Sequence, residues 1–152
     1  MIGRRFTFEV RRVTSAAPET LFRLETDGAG WSRWARPLVP RSRWAREGDP
    51  APAGAGAVRE VGLWPLLVRE RTVEYEPHRR HVYTFDGARP PVRDYRAEVL
   101  LTPDGSGGTE LLWRGSFTEA VPGTGPLART LLRAAIRFLS ARLVRAAEAG
   151  RG

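Results

Sequence analysis

Residues Pro126 to Glu148 read PLARTLLRAAIRFLSARLVRAAE, without an interior glycine or proline, and predict the one long helix of the chain. Gly123 and Gly125 loosen the approach, Pro126 suits a first-turn position that needs no backbone donor, and Gly150 is placed to stop it. At ~1.5 Å per residue the helix runs roughly 35 Å, the width of a small domain. Leu132, Ala135, Leu139, Leu143 and Ala146 recur at three- and four-residue steps, with Ala128 and Leu131 beside them, so they line one face that must be covered. Arg129, Arg133 and Arg137 form a separate stripe that belongs in water. Alanine alternates with leucine where a tight core places bulk throughout, and the small residues leave room beside the helix.

The 152 residues suffice for one core and are few for two, so a single domain over residues 1–152 is expected. No run approaches the ~20 apolar residues of a membrane span. The opening MIGRRFTFEV lacks the apolar stretch of a signal peptide, and the expected location is the cytoplasm. Absence of cysteine removes disulfides, thiolate metal sites and a cysteine nucleophile together. A net charge of +8 would ordinarily suggest a polyanionic partner, yet all 25 cationic residues are arginine and lysine, asparagine and glutamine never occur. That pattern fits a GC-rich coding bias. The arginines are also interleaved with 17 acids, so no specific nucleic-acid partner is expected.

Earlier in the chain, RRFTFEVRRV (residues 4–13) alternates Phe6, Phe8 and Val10 with Thr7, Glu9 and Arg11, a strand with one buried face. Pro18 and Glu19 then open a short helix carrying Leu21, Phe22 and Leu24, which breaks near Gly28 and Gly30 and resumes through Trp31 to Trp34. Residues 41–48 predict a polar second strand, and DPAPAGAGA after it a mobile loop. From Ala57 onward strand follows strand, with turns at Trp64-Pro65, Pro77-His78, Gly87 to Pro91 and Pro103 to Gly108. Short connections imply antiparallel neighbours. The total is about seven strands and three helices, an α+β domain whose curled sheet can wrap one long helix.

This order of elements, punctuated by Trp31-x-x-Trp34, Pro37-Leu38-Val39, Arg59-Glu60-Val61, Glu70 leading into Val73, Arg79 to Tyr83, Asp94-Tyr95 and Gly108 to Trp113, resembles the SRPBCC or START-like superfamily with its helix-grip fold. The polyketide cyclase/dehydrase-like group of bacteria is the nearest in flavour. These residues mark a fold and carry no catalytic signature. The resemblance implies a cavity between the curled sheet and the long helix that takes a small apolar or amphipathic molecule of lipid, polyketide or aromatic type, with no cofactor.

Strand parity nominates the lining of such a cavity. If Trp113 and Phe117 point inward, Leu111 and Gly115 share their face, and Tyr95, Ala97 and Val99 supply the neighbouring strand. Arg59, Val61 and Leu63 continue it, as do Val68, Glu70 and Thr72, and Tyr83 with Phe85, while the helix contributes Leu131, Ala135 and Leu139. Gly115 and Ala97 are small at mid-strand, as a hollow would require. Arg59 and Glu70 sit on neighbouring strands, where a surface cross-strand ion pair is the plain expectation. If they face the cavity, the arginine can hold a ligand carboxylate or enolate instead. Arg142, at the edge of the apolar helical face, is expected to snorkel.

His78 and His81 lie in or beside a turn with no acid cluster nearby in sequence, so both are expected to be solvated and no metal site is expected. No nucleophile elbow and no phosphate loop appear. Three functions survive: binding of a small hydrophobic ligand, an aromatase/cyclase-like enzyme, and an interaction module without a ligand, acting as monomer or homodimer. If the arginines reflect coding bias, binding to duplex DNA is expected to be weak, salt-sensitive and indifferent to sequence. Affinity tighter than micromolar at physiological salt, with a clear sequence preference, would overturn that reading.

Overall fold

In the first strand, β1 (Arg5–Thr14), alternate residues Phe6 and Phe8 are buried while Arg5, Thr7 and Glu9 stay in water, as the period of two demands. The computed structural model describes residues 3–63, 66–87 and 92–150, with the side chains at positions 63 and 66 also outside the description. The Trp64-Pro65 turn, most of the turn from Gly87 to Pro91 and the side chain of Leu63 therefore lie outside it.

After β1 come α1 (Pro18–Thr26), a short 3-10 turn (Gly28–Gly30) and α2 (Trp31–Trp34). Six strands follow: β2 (Arg41–Arg46), β3 (Val58–Leu63), β4 (Leu66–Glu76), β5 (Arg80–Phe85), β6 (Val92–Pro103) and β7 (Thr109–Glu119). The chain ends on α3 (Gly125–Ala149). All seven strands join one antiparallel sheet in the order β1-β7-β6-β5-β4-β3-β2, with the first strand carried round to pair with the last. Register shifts between Thr72 and Glu74 in β4 and between Arg93 and Arg96 in β6 bend the strands, so the sheet curls. This is the expected helix-grip α+β architecture.

The helix lies over β1, and its buried face is rotated from the expected one. Ile136, Leu139, Ser140, Leu143 and Ala147 point into the core, and Ala146 is only half-buried. Arg12 of β1 explains the rotation, because its guanidinium donates to the Ser140 hydroxyl at 2.8 Å and to the Arg137 carbonyl at 2.9 Å. The helix start is held by Glu119, whose carboxylate accepts from the Gly125 amide at 2.9 Å.

Two glycines make room for rings. A side chain on Gly115 would strike the ring of Phe8, and one on Gly125 the ring of Phe6. Gly115 is thus small because an aromatic ring fills the space, where a hollow was expected. The loop at 48–57 also departs from its mobile reading, since the Asp49 amide bonds Ala55 at 3.0 Å, the Gly54 amide bonds Pro50 at 2.7 Å, and Gly56 and Ala57 are laced to Thr72. With so few side chains to order, backbone hydrogen bonds shape it.

Leu143 has no exposed surface, so Leu143→Asp is expected to unfold the domain or lower its stability by several kcal/mol. Leu131→Asp, on a residue 61% exposed, should melt within a few degrees of wild type. Parallel thermal melts check both.

Candidate functional site

Buried charged side chains gather where the corner between α1 and α2 rests on β3, β4 and β5. Leu21 and Phe22 face the core from α1, and Glu25 follows them on the same side, fully buried. Glycine at position 28 lets this corner close, because a side chain there would meet Cβ of Arg59 at 2.5 Å. Across the gap, Arg59 of β3 pairs in register with Glu70 of β4.

Arg59 is 3% exposed and almost completely engaged. Its Nε donates to Glu70 Oε1 at 2.9 Å, and its Nη1 donates to the Glu25 carbonyl at 2.6 Å and to Glu25 Oε2 at 3.2 Å. The guanidinium lies 4.2 Å from the Trp31 ring centre and 4.6 Å from that of Tyr83, a cation between two π-faces. Its Nη2 is buried and finds no hydrogen-bond partner among the described residues.

Glu25 also meets His81, with Nδ1 at 2.9 Å from both carboxylate oxygens. An ionised carboxylate only accepts, so Nδ1 carries a hydrogen; in the neutral ring Nε2 then accepts from the Thr72 hydroxyl at 2.8 Å. The Tyr83 ring stacks on His81 at 5.3 Å, and its hydroxyl accepts from Trp113 Nε1 at 3.1 Å. Tyr95 lies face to face with Phe85 at 4.1 Å. One cation, two acids and an imidazole thus sit in an aromatic shell.

Burial pulls the two acids apart. Burial raises the Glu25 carboxyl, but the attraction of His81 and Arg59 outweighs it and holds Glu25 below the ordinary glutamate value. For Glu70 burial wins over Arg59, and its carboxyl lies above that value. Burial, with Glu70 next, pushes the Tyr83 hydroxyl well up. The site therefore offers a free guanidinium hydrogen, a fixed anion and a carboxyl inclined to keep its proton.

Of the residues nominated from strand parity, Arg59, Val61, Glu70, Tyr83, Tyr95, Ala97, Trp113, Gly115, Phe117 and Leu139 are buried on the inward face. Val68, Phe85 and Ala135 are half-buried. Leu131 is a correction: the rotation of α3 turns it to solvent, where it cannot line an interior. The Arg59 to Glu70 pair exists, but inside the protein where a surface pair was expected. His81 is a second correction, buried where solvation was expected, while His78 is exposed. Its parity with Tyr83 and Phe85 was the available signal. Glu25 was missed altogether, although an acid three and four residues beyond Phe22 and Leu21 interrupts an apolar stripe. Arg142 donates to the Trp34 carbonyl at 3.1 Å. Among the described residues no group of three His, Asp or Glu side chains is arranged to hold a metal ion, and no helix is long and apolar enough to cross a membrane.

Residues 5–148 match the family described as "Polyketide cyclase / dehydrase and lipid transport". The chain belongs to that family. It is also 30% identical over 128 residues to the uncharacterized protein Rv2574 of Mycobacterium tuberculosis, covering 79% of this chain and 71% of the relative. Among solved structures, a protein of Nitrosospira multiformis aligns with a TM-score of 0.71 at 20% identity, over 92% of this chain and 94% of the other. Ara h 8.0201 aligns with a TM-score of 0.70 at 15% identity, over 92% and 96%. At these identities the likeness shows the helix-grip fold alone; it is the family match that places the chain in the SRPBCC/START-like superfamily. The family description names both cyclase chemistry and lipid transport.

Glu25, held below the ordinary value of 4.5, contributes stability that is present above that pH and lost as pH falls through its folded value. Glu25→Gln is expected to lower stability by about 3–5 kcal/mol at neutral pH, because the buried Arg59 loses a counter-charge and His81 Nδ1 its carboxylate acceptor. Its deficit against wild type should shrink on acidification. Glu70 has the opposite sign, its contribution being lost as pH rises through its raised value, so Glu70→Gln should be far milder at neutral pH. Denaturant titrations from pH 3 to 8 separate the two; equal deficits for both variants at every pH would refute the assignment.

Proposed function

We propose that this protein binds a small amphipathic molecule, apolar over most of its length and bearing one hydrogen-bond acceptor, in the interior framed by the sheet, the α1–α2 corner and α3. The observation that carries the reading is the unpartnered Nη2 of Arg59. A buried donor left unsatisfied costs about 1–3 kcal/mol, more for a charged group, and a ligand carbonyl, enolate or carboxylate would relieve that penalty. Trp31 and Tyr83 lie on the guanidinium, with Tyr95 next to Tyr83 and Phe85 stacked on Tyr95, wide apolar surfaces suited to an aromatic or aliphatic body. The family's description as cyclase/dehydrase and lipid transport supports a ligand of this class. Entry requires Phe8 and its neighbours to yield, since the rings that seat on glycine fill the room a ligand would use.

A second reading has its own support. Glu70 keeps its proton more readily than an ordinary glutamate and sits beside a fixed cation. With a carbonyl held by Arg59, Glu70 would act as general acid in an aldol or dehydration step of the aromatase/cyclase type.

Titration with a fluorescent fatty acid is expected to show saturable binding to wild type. Arg59→Met combined with Glu70→Gln, which removes the cation together with the side chain its Nε donates to, should weaken binding about tenfold or more, and Leu131→Ser should not change it. Wild type that takes up no fatty acid and no planar polyphenol would refute the binding reading. Turnover of a linear polyketide analogue that vanishes in Glu70→Gln, with binding retained, would favour the enzyme.

A further inference from the structure

The coding bias that explains how many arginines this chain has does not explain how they are placed. On the outer face of the sheet several are balanced: Arg80 and Arg114 bond Glu98, and Arg80 and Arg96 bond Glu74, while the exposed Arg5 meets only the Ser116 hydroxyl among the described residues. On α3 none of the stripe is. Arg129, Arg133 and Arg137 are exposed, and among the described residues no carboxylate pairs with any of them. The helix sequence carries no acid before Glu148, so no stabilising pair four residues apart can form.

The same helix also fails to hide its leucines. Leu127 is 64% exposed and Leu131 61% exposed, with Val121 just before the helix at 49%. They flank a crown of small residues, Thr130 and Ala134, with the arginine stripe on the other side of it. Beside that stripe runs an open groove of about 1130 Å³, lined in part by Arg80, Arg96, Arg114 and the three helical arginines against two acids, Glu9 and Glu98. Leucines in water beside unpaired arginines, on a helix otherwise anchored to the core, make a basic amphipathic outer face.

We propose that the outer face of α3 docks on an anionic lipid bilayer, with Leu127 and Leu131 entering the headgroup boundary and Arg129, Arg133 and Arg137 meeting lipid phosphates. A bilayer interface is the surface that uses both features at once. It takes leucine side chains out of water, and its negative potential attracts cations within a Debye length. Arginine stems can lie along the apolar layer while the guanidinium heads stay with phosphate. A nucleic acid would use the arginines and leave the leucines exposed. The helix does not leave the fold to do this, because Ile136, Leu139 and Leu143 remain in the core. The groove gives headgroups a place beside the helix. The proposal does not depend on the interior binding a ligand.

Sedimentation with phosphatidylcholine vesicles, and with vesicles that also contain phosphatidylglycerol, tests it on the full chain. Wild type is expected to partition onto the anionic vesicles about tenfold or more tightly than onto the neutral ones, and to be released by salt. Leu127→Ser with Leu131→Ser should weaken that partition about tenfold without moving the melting temperature, since both residues are exposed. Arg133→Gln with Arg137→Gln should abolish the preference for phosphatidylglycerol. Equal partition of wild type onto both vesicles overturns the proposal, as does a leucine variant that binds like wild type. Duplex DNA held as tightly as the anionic vesicles, by wild type and leucine variant alike, would overturn it in favour of a nucleic-acid surface. Fatty-acid uptake, measured separately without vesicles, distinguishes failure of this docking face from failure of the interior site.

Discussion

A guanidinium taken out of water must be surrounded, and the surroundings of Arg59 recruit half of the fold. Its carboxylate partners come from α1 and β4, its π-faces from α2 and β5, and one carbonyl from the end of α1. The charge could not be buried alone, since desolvation of an ion outweighs what a single imperfect partner returns. Each element that contributes a partner is thereby fixed in place relative to the others. The stacked pair of Phe6 and Phe117, which makes none of these contacts, needs no such precision and packs by area.

The buried cluster and the outer face of α3 follow opposite electrostatic rules. Inside, cation and anion are matched almost atom for atom, with Nη2 of Arg59 left over; Trp34 Nε1 and Thr84 Oγ1 are the other buried polar atoms without a partner among the described residues. Outside, on one helix, cations stand without anions beside leucines without a core. A ligand site and a docking surface would need these two arrangements respectively. Both deviate from what stability alone favours: paired charges outside and none inside.

Much of the architecture was legible because it rests on local rules. Period-two alternation in residues 4–13 and 109–119 named the buried faces of β1 and β7 correctly, down to Phe6, Phe8, Trp113 and Phe117. The long helix declared itself by its length and its missing breakers. What failed was long-range. The rotation of α3 depends on Arg12 reaching Ser140, a contact 128 residues apart in sequence, so the side to which Leu131 turns could not be read from the helix alone. Glu25 and His81, 56 residues apart, each look unremarkable alone; only together do they explain why an acid and an imidazole tolerate burial. Gly115 was read as space, though the glycine exists for the ring of a strand partner.

The Pro/Ala/Gly loop at 48–57 holds its shape through main-chain bonds, two of them to Thr72, the residue whose hydroxyl meets His81. Because those bonds are indifferent to side-chain identity, most of its positions can drift neutrally over evolutionary time. Gly48, Gly54 and Gly56 are the exceptions, since a side chain at either of the first two would collide with neighbouring backbone and Gly56 has a φ of 87°. The loop can thus diverge between relatives while the strand it braces stays in register beneath the cluster.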